Sequence, residues 1–235
     1  MASSDDGRGD KYRNHLNERG EKITQWRFGE PPNYDVVNKL FEEGRTKVWP
    51  AGSLEEKVQN LVKTWEMEIV HKANADDFIN TSPDFTYSLN GRKPITSEEM
   101  GNIGGSYNLH LQTSLPEHLR IYNPAEENME SSHRAFTTVF PRGFALEVLQ
   151  VYTGPPVIVY KFRHWGYMEG PFKGRAATGE LIEIFGMAIF EANEKMRVMK
   201  VEFFFDRGEL LGKLVKGEKL DTEAVSSCPI LKNTG

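Results

Sequence analysis

The apolar positions Leu54, Val58, Leu61, Val62, Trp65 and Ile69 recur at spacings of 4, 3, 1, 3 and 4. That rhythm puts all six on one stripe of a helix. Ser53-Leu54-Glu55-Glu56 opens it as a capping box, in which the Ser53 hydroxyl takes the Glu56 amide and the Glu56 carboxylate reaches back. Thr96 and Glu99 repeat the box, followed by Met100, Ile103, Tyr107, Leu111 and Leu115 at spacings of 3 or 4. The pattern predicts one helix that runs until Pro116, which has no amide hydrogen to donate. Upstream, Val36, Val37, Leu40 and Phe41 fit a short helix that stops at Gly44. Between the two capped helices, Phe85-Thr86-Tyr87-Ser88-Leu89 with Asn90-Gly91 predicts a strand and a turn. Residues 123–141 carry both signals. Pro124 and the series Met129, His133, Phe136, Phe140 favour a helix, whereas Thr137-Thr138-Val139 is β-branched. The segment is read as helix.

From Phe144 the period changes to 2. Phe144 to Tyr152, Val157 to Met168, Leu181 to Ala192 and Met196 to Phe205 predict four long strands that meander antiparallel. Asp206 with Glu209 caps a last short helix through Leu210, Leu211 and Leu214. Helices come first and strands afterwards, which is the order of an α+β domain. On the second long strand Ile158, Tyr160, Phe162 and His164 share a face. On the third, Leu181, Phe185, Met187 and Ile189 make the second face as apolar as the first. A strand apolar on both sides is covered on both sides; helices can cover one face, the N-terminal segment or a second subunit the other, and a homodimer through the outer sheet face is expected. A curved sheet wrapped over helices leaves a cup, which Trp65, Tyr107, Tyr160, Phe162 and Phe204 can line.

Composition sharpens the boundaries. Residues 1–30 hold few aliphatic side chains and are expected to be a largely disordered arm; the folded unit is expected over 31–215, with a polar, mobile tail over 216–235. The 235 residues carry 29 Lys+Arg against 34 Asp+Glu, a net charge of −5. That balance argues against a nucleic-acid partner, which selects a basic surplus. The lone cysteine, Cys228, excludes a disulfide framework and a thiolate-rich zinc site. No apolar run approaches a bilayer span, and the polar start lacks a signal-peptide core. A soluble cytoplasmic protein is the expectation. His15, His71, His110, His118, His133 and His164 show no metal-binding spacing. No metal or cofactor is expected.

Three strings carry a resemblance. They are Pro31-Pro32-Asn33-Tyr34-Asp35-Val36-Val37-Asn38-Lys39-Leu40-Phe41-Glu42-Glu43-Gly44-Arg45-Thr46, then Trp49-Pro50 with Gly52-Ser53-Leu54-Glu55-Glu56-Lys57-Val58, then Phe162-Arg163-His164-Trp165-Gly166-Tyr167-Met168-Glu169-Gly170-Pro171-Phe172-Lys173-Gly174. Over roughly residues 25–215 the chain resembles the plant pathogen-related protein family. That family is similar to a divergent branch of the nuclear transport factor 2-like superfamily, near its polyketide-cyclase-like (SnoaL-like) and ketosteroid-isomerase-like members. The resemblance implies a cone-shaped α+β fold with helices inside a curved antiparallel sheet and a pocket at the open end. It implies fold far better than activity, since such superfolds host enzymes, binders and scaffolds.

Cyclases and isomerases of the superfamily use a pocket carboxylate to take a proton from carbon beside a carbonyl. The matching position falls at or near Ala188, and Gly186-Met187-Ala188-Ile189-Phe190 contains no acid. The first functional expectation is therefore a non-catalytic binder of an apolar small molecule, a carrier or accessory protein in plant defence or specialised metabolism. Its expected ligand-binding residues are Trp65, Ile69, Tyr107, Tyr160, Phe162, His164, Ala188 and Phe204. A second reading is an interaction module for a metabolic enzyme such as an oxidase, contacting it through Trp26, Phe28 and Trp49. A third is a cyclase or isomerase with His164 or Glu202 as general base; Glu183 is a further possible acid. The loop from Glu169 to Gly174 either gates a pocket or closes the fold.

Overall fold

The computed structural model describes residues 10–13 and 24–220. Helices α1 (Asp35–Gly44) and α2 (Leu54–His71) come first. The Ser53 hydroxyl accepts the Glu56 amide at 3.2 Å, and the Glu56 carboxylate accepts the Gly52 amide at 2.5 Å. The α2 stripe of Val58, Val62, Trp65 and Ile69 enters the main core. The other side of the helix buries Lys63 and Met67 against α1. With apolar or aromatic neighbours on both sides, α2 becomes the axle of the molecule.

Strands β1 (Thr81–Leu89), β2 (Ile95–Thr96), β3 (Ala145–Thr153), β4 (Val157–Tyr167), β5 (Leu181–Ala192) and β6 (Val198–Phe205) form one sheet. It is curved, unclosed and six-stranded, in the order β2-β1-β6-β5-β4-β3. The long strands pair antiparallel as their alternation requires. The expected all-antiparallel sheet needs one correction: β1 pairs parallel with β6, Tyr87 opposite Val201 and Leu89 opposite Phe203. A parallel pair requires a long crossover, and everything from β2 to β5 supplies it.

The single helix expected before Pro116 is two, α3 (Ser97–Asn102) and α4 (Gly105–Leu111). Gly104 and Gly105 both sit at φ +88°, a left-handed conformation that interrupts the helical ladder. The Asn108 amide donates to the carbonyls of Ile103 at 2.5 Å and Pro124 at 3.0 Å, fastening the break. The helix stops at Gln112, so Leu115 lies beyond it and is exposed. Residues 123–141 do form a helix, α5 (Met129–Val139), after a single tight turn at Pro124–Glu126. Helix α6 (Arg207–Leu214) is capped by Asp206, whose carboxylate accepts the Gly208 amide at 2.7 Å.

Both segments expected to lie outside the folded unit contribute contacts to it. Tyr12 and Arg13 are buried against α1 and α2. At the other end the Ala176 amide donates to Glu218 at 2.9 Å, and the Leu220 amide to Gly174 at 2.8 Å. Cys228 and His15 lie outside the described residues.

Candidate functional site: an aromatic cup with a carboxylate–imidazole pair

Helices α2, α4 and α5 and the inner faces of β4 and β6 enclose a cavity of about 130 Å³. Its floor is Trp65, whose ring stacks on Phe203 at 5.6 Å and meets Phe190 edge-on at 5.2 Å. One wall is a run of rings from α5 into β3: Phe136 to Phe140 at 4.9 Å, then Phe140 to Phe144 at 4.6 Å. Tyr107 of α4 stacks on Phe136 at 4.3 Å and narrows the opening. Rings at these separations are well packed and hold their walls rigidly.

Polar groups enter at few points. Glu66 of α2 brings Oε1 within 3.4 Å of His164 Nε2 on β4. The imidazole lies flat against Phe144 at 5.4 Å and meets the edge of Phe162 at 5.4 Å. The buried Nδ1 on the other side of the ring is without a hydrogen-bond partner. On α4, His110 Nε2 shares a hydrogen bond with the Tyr87 hydroxyl at 2.8 Å. Burial, aided by the neighbouring His164, lowers the His110 pKa to about 4. Burial likewise lowers His71 to about 3, with His133 adding to the effect. Both rings therefore line the cup as neutral groups near pH 7. Burial also holds the Tyr107 hydroxyl above the usual phenol range. A carboxylate–imidazole pair in such surroundings can hold or pass one proton. Among the described residues no three His, Cys, Asp or Glu side chains gather as a metal site.

The expected residues divide. Trp65, Ile69, Tyr107, Phe162 and His164 line the cavity together. Tyr160 and Ala188 are fully buried in the core behind it. Phe204 does not line it: Phe203, opposite Ala188 on β5, faces inward, so Phe204 faces out and is 37% exposed. Glu202 shares that outer face and pairs with Lys200 at 2.7 Å. It therefore lies away from the cup. Glu183 is also engaged outside, accepting from Arg163 Nε at 2.8 Å. Arg163 further donates to the Gly44 carbonyl at 3.0 Å, tying the end of α1 to the sheet.

The three rings expected to contact a partner are engaged with their own domain. Trp49 Nε1 donates to the Val148 carbonyl at 2.9 Å, and Phe28 stacks on His133 at 4.1 Å. Trp26 packs against the cluster around α1, and its backbone bridges to Lys72 at the end of α2. In the loop after β4, the amides of Glu169 and Gly170 donate to Val139 at 3.1 and 3.2 Å. That loop is pinned to α5 and closes the fold.

Sequence reasoning passed over Glu66, His110 and Arg13, all of which line the cup. Glu66 was findable: it stands four residues after Val62 and three before Ile69, on the apolar stripe itself. A charge on a core stripe is a signal in its own right.

With the geometry in place, the relatives become informative. No family model matches the chain. A barley protein, "Pathogen-related protein" of Hordeum vulgare, is 52% identical over 235 residues, covering 99% of each chain. The chain belongs to the pathogen-related protein family. Among solved structures, a SnoaL-like polyketide cyclase from Jannaschia sp. is similar at 14% identity and a TM-score of 0.41, covering 73% of this chain and all (100%) of that one. A polyketide cyclase from Acidithiobacillus ferrooxidans is similar at 10% identity and a TM-score of 0.41, covering 72% and 100%. IdmH of Streptomyces antibioticus is similar at 13% identity and a TM-score of 0.37, covering 77% and 96%. For this family member the cone seen here, with helices inside a curved sheet, is the arrangement that the resemblance implied. No helix among its described residues is long and apolar enough to cross a membrane.

Proposed function

We propose that the chain binds an apolar small molecule in the cup and acts as a carrier or accessory protein in plant defence or specialised metabolism, in the cytoplasm. The observation that carries this reading is the aromatic-lined cavity of about 130 Å³, with polar groups confined to a few points. Small-molecule sites have this character: mostly apolar walls and a small number of placed polar groups. The name of the barley relative supports the defence context. Titrating terpenoids, steroids and phenolics while following Trp fluorescence tests it, because Trp65 is the floor of the cup. A quench saturating below about 1 mM, an affinity of roughly 4 kcal/mol, is the expected result. No saturation by any compound overturns the reading.

A second reading rests on one distance, the 3.4 Å between Glu66 and His164. The pair would act as a general base that removes a carbon-bound proton, from α2 and β4 rather than from the Ala188 position. 5-Nitrobenzisoxazole probes this directly. Loss of its ring proton to the base breaks the N–O bond and releases a coloured phenolate. His164→Ala and Glu66→Gln should each cut the rate about 100-fold or more while the melting temperature holds. A rate equal to that of wild type in both variants removes this reading.

The outer sheet face presents Phe185 at 50% and Phe204 at 37% exposure, with Leu181 also exposed and Met187 and Ile189 half-buried between them. We propose that a second copy covers this face, since apolar patches of this kind mark interaction surfaces. Sedimentation should find a dimer, and the double variant Phe185→Glu with Phe204→Glu a monomer. A monomeric wild type would sink the idea.

A further inference from the structure

Arg13 reaches the cavity wall from a segment that is no part of the cup. Asp10 folds residues 10–13 into a tight turn, its Oδ1 accepting the amides of Tyr12 at 2.8 Å and Arg13 at 2.6 Å. Its Oδ2 accepts from Arg13 Nη1 at 2.8 Å and from Asn38 Nδ2 at 2.8 Å, and Nη1 also donates to Asn38 Oδ1 at 3.0 Å. The Tyr12 hydroxyl donates to Glu42 at 2.8 Å, which fixes the turn to α1. The guanidinium of Arg13 lies 3.5 Å from the centre of the Tyr34 ring, and both residues line the cavity.

One edge of this guanidinium is taken and another is not. Nη1 is bonded twice, while Nε is buried and makes no hydrogen bond, in a residue only 6% exposed. An Nε–H can only donate. Trp65 Nε1, a second donor with no other role, lines the same cavity, is 2% exposed at the residue level and is also without a partner. Buried donors are nearly always satisfied, so two around one cavity call for acceptors supplied by a ligand. The charges narrow the choice. Asp10 already neutralises Arg13, and Glu66 adds a negative charge to the same wall. A ligand carboxylate would face the Glu66 carboxylate on the same wall, and a protonated amine would leave both donors unpaired.

We propose that Arg13 is a ligand-contacting residue whose Nε–H donates to an uncharged acceptor oxygen, of the carbonyl, ester or lactone kind, with residues 10–13, held to α1, as the strap that delivers it. This rests on the cup being the binding site, and deepens that reading by naming the polar feature of the ligand.

The test uses the full chain and three matched bicyclic probes: tetralin, 1-tetralone and tetralin-1-carboxylate. Wild type should hold the ketone about tenfold more tightly than either of the others, the scale expected when one buried hydrogen bond is gained. Arg13→Met should bring the ketone to within about twofold of tetralin and leave tetralin itself unchanged. Asn38→Leu tests the strap. It removes one of the two acceptors of Arg13 Nη1 without touching the cavity wall, so it should reduce the preference for the ketone part-way and leave tetralin unchanged. The ratio is the readout. A wild type that does not prefer the ketone, or an Arg13→Met variant that keeps the preference, overturns the proposal while tetralin binding upholds the cup. Failure of all three probes to bind overturns the cup and the proposal together.

Discussion

Glu68→Ala should be among the most damaging single changes in this chain, lowering stability by about 3–5 kcal/mol and the melting temperature by on the order of 10 °C. The carboxylate is entirely buried. Its Oε1 accepts the amides of Ile79 at 2.5 Å and Asn80 at 3.2 Å, and its Oε2 accepts the Thr81 hydroxyl at 2.7 Å. Oε1 also faces the ammonium of Lys72 at 3.3 Å, itself 1% exposed. Removing the acid strips three donors of their acceptor and takes a carboxylate from beside a buried cation. It also frees the turn that leads α2 into β1. Glu68→Gln keeps an acceptor oxygen but loses the charge, so it should fall between wild type and alanine. Adding Lys72→Met to Glu68→Gln should recover part of the loss, because no cation is then buried beside a neutral amide. Urea melts of wild type, Glu68→Ala, Glu68→Gln, Lys72→Met and the double variant check this; additive losses in the double variant would refute the pairing.

Gly170→Ala should be of similar size, about 4 kcal/mol or more, for a different reason. A Cβ at that position would stand 1.8 Å from the Thr138 carbonyl oxygen, inside any tolerable contact. The obstacle is backbone of α5, so no side-chain rotation relieves it. The loop would have to move. Its amide bonds to Val139 and the twofold ion pair of Glu169 with Arg142, at 3.0 and 2.7 Å, would go with it. Phe172, buried against Tyr122, would follow. Thermal melts should show the loss, and hydrogen exchange should show faster amides at the end of α5. A variant that melts within about 2 °C of wild type, equivalent to less than roughly 1 kcal/mol, would contradict the contact.

How far the sequence reached depended on whether burial wrote itself into a period. Helix α2 and strands β3 to β6 were legible because each has a continuous apolar face to repeat. The division between α3 and α4 was not, because Met100, Ile103 and Tyr107 keep helical spacing straight through a break made by two glycines. Parity failed on β6 for a simple reason: Phe203, Phe204 and Phe205 are consecutive, so hydrophobicity there cannot say which face is inner. The register against Ala188 says it. Within the site, the aromatic half was legible and the polar half was not. Glu66 was passed over on a helix that carries several charges, and Arg13 lay in a segment whose composition hid it. A buried turn held by Asp10 and Asn38 leaves no periodic trace, since its stability comes from hydrogen bonds across 28 residues rather than from an apolar stripe.

The parallel pairing of β1 with β6 also sets a timetable. During synthesis, the helices and the first strand emerge well before residues 198–205 exist. Until then β1 has only the two-residue β2 beside it, and its other edge stays open. The sheet cannot be completed locally, because its two outermost halves are joined by the last strand made. Chains built on such distant pairings fold slowly. A ribosome-bound fragment ending before β6 should thus expose an unpaired edge, making the final long strand the step that commits this protein to its native form.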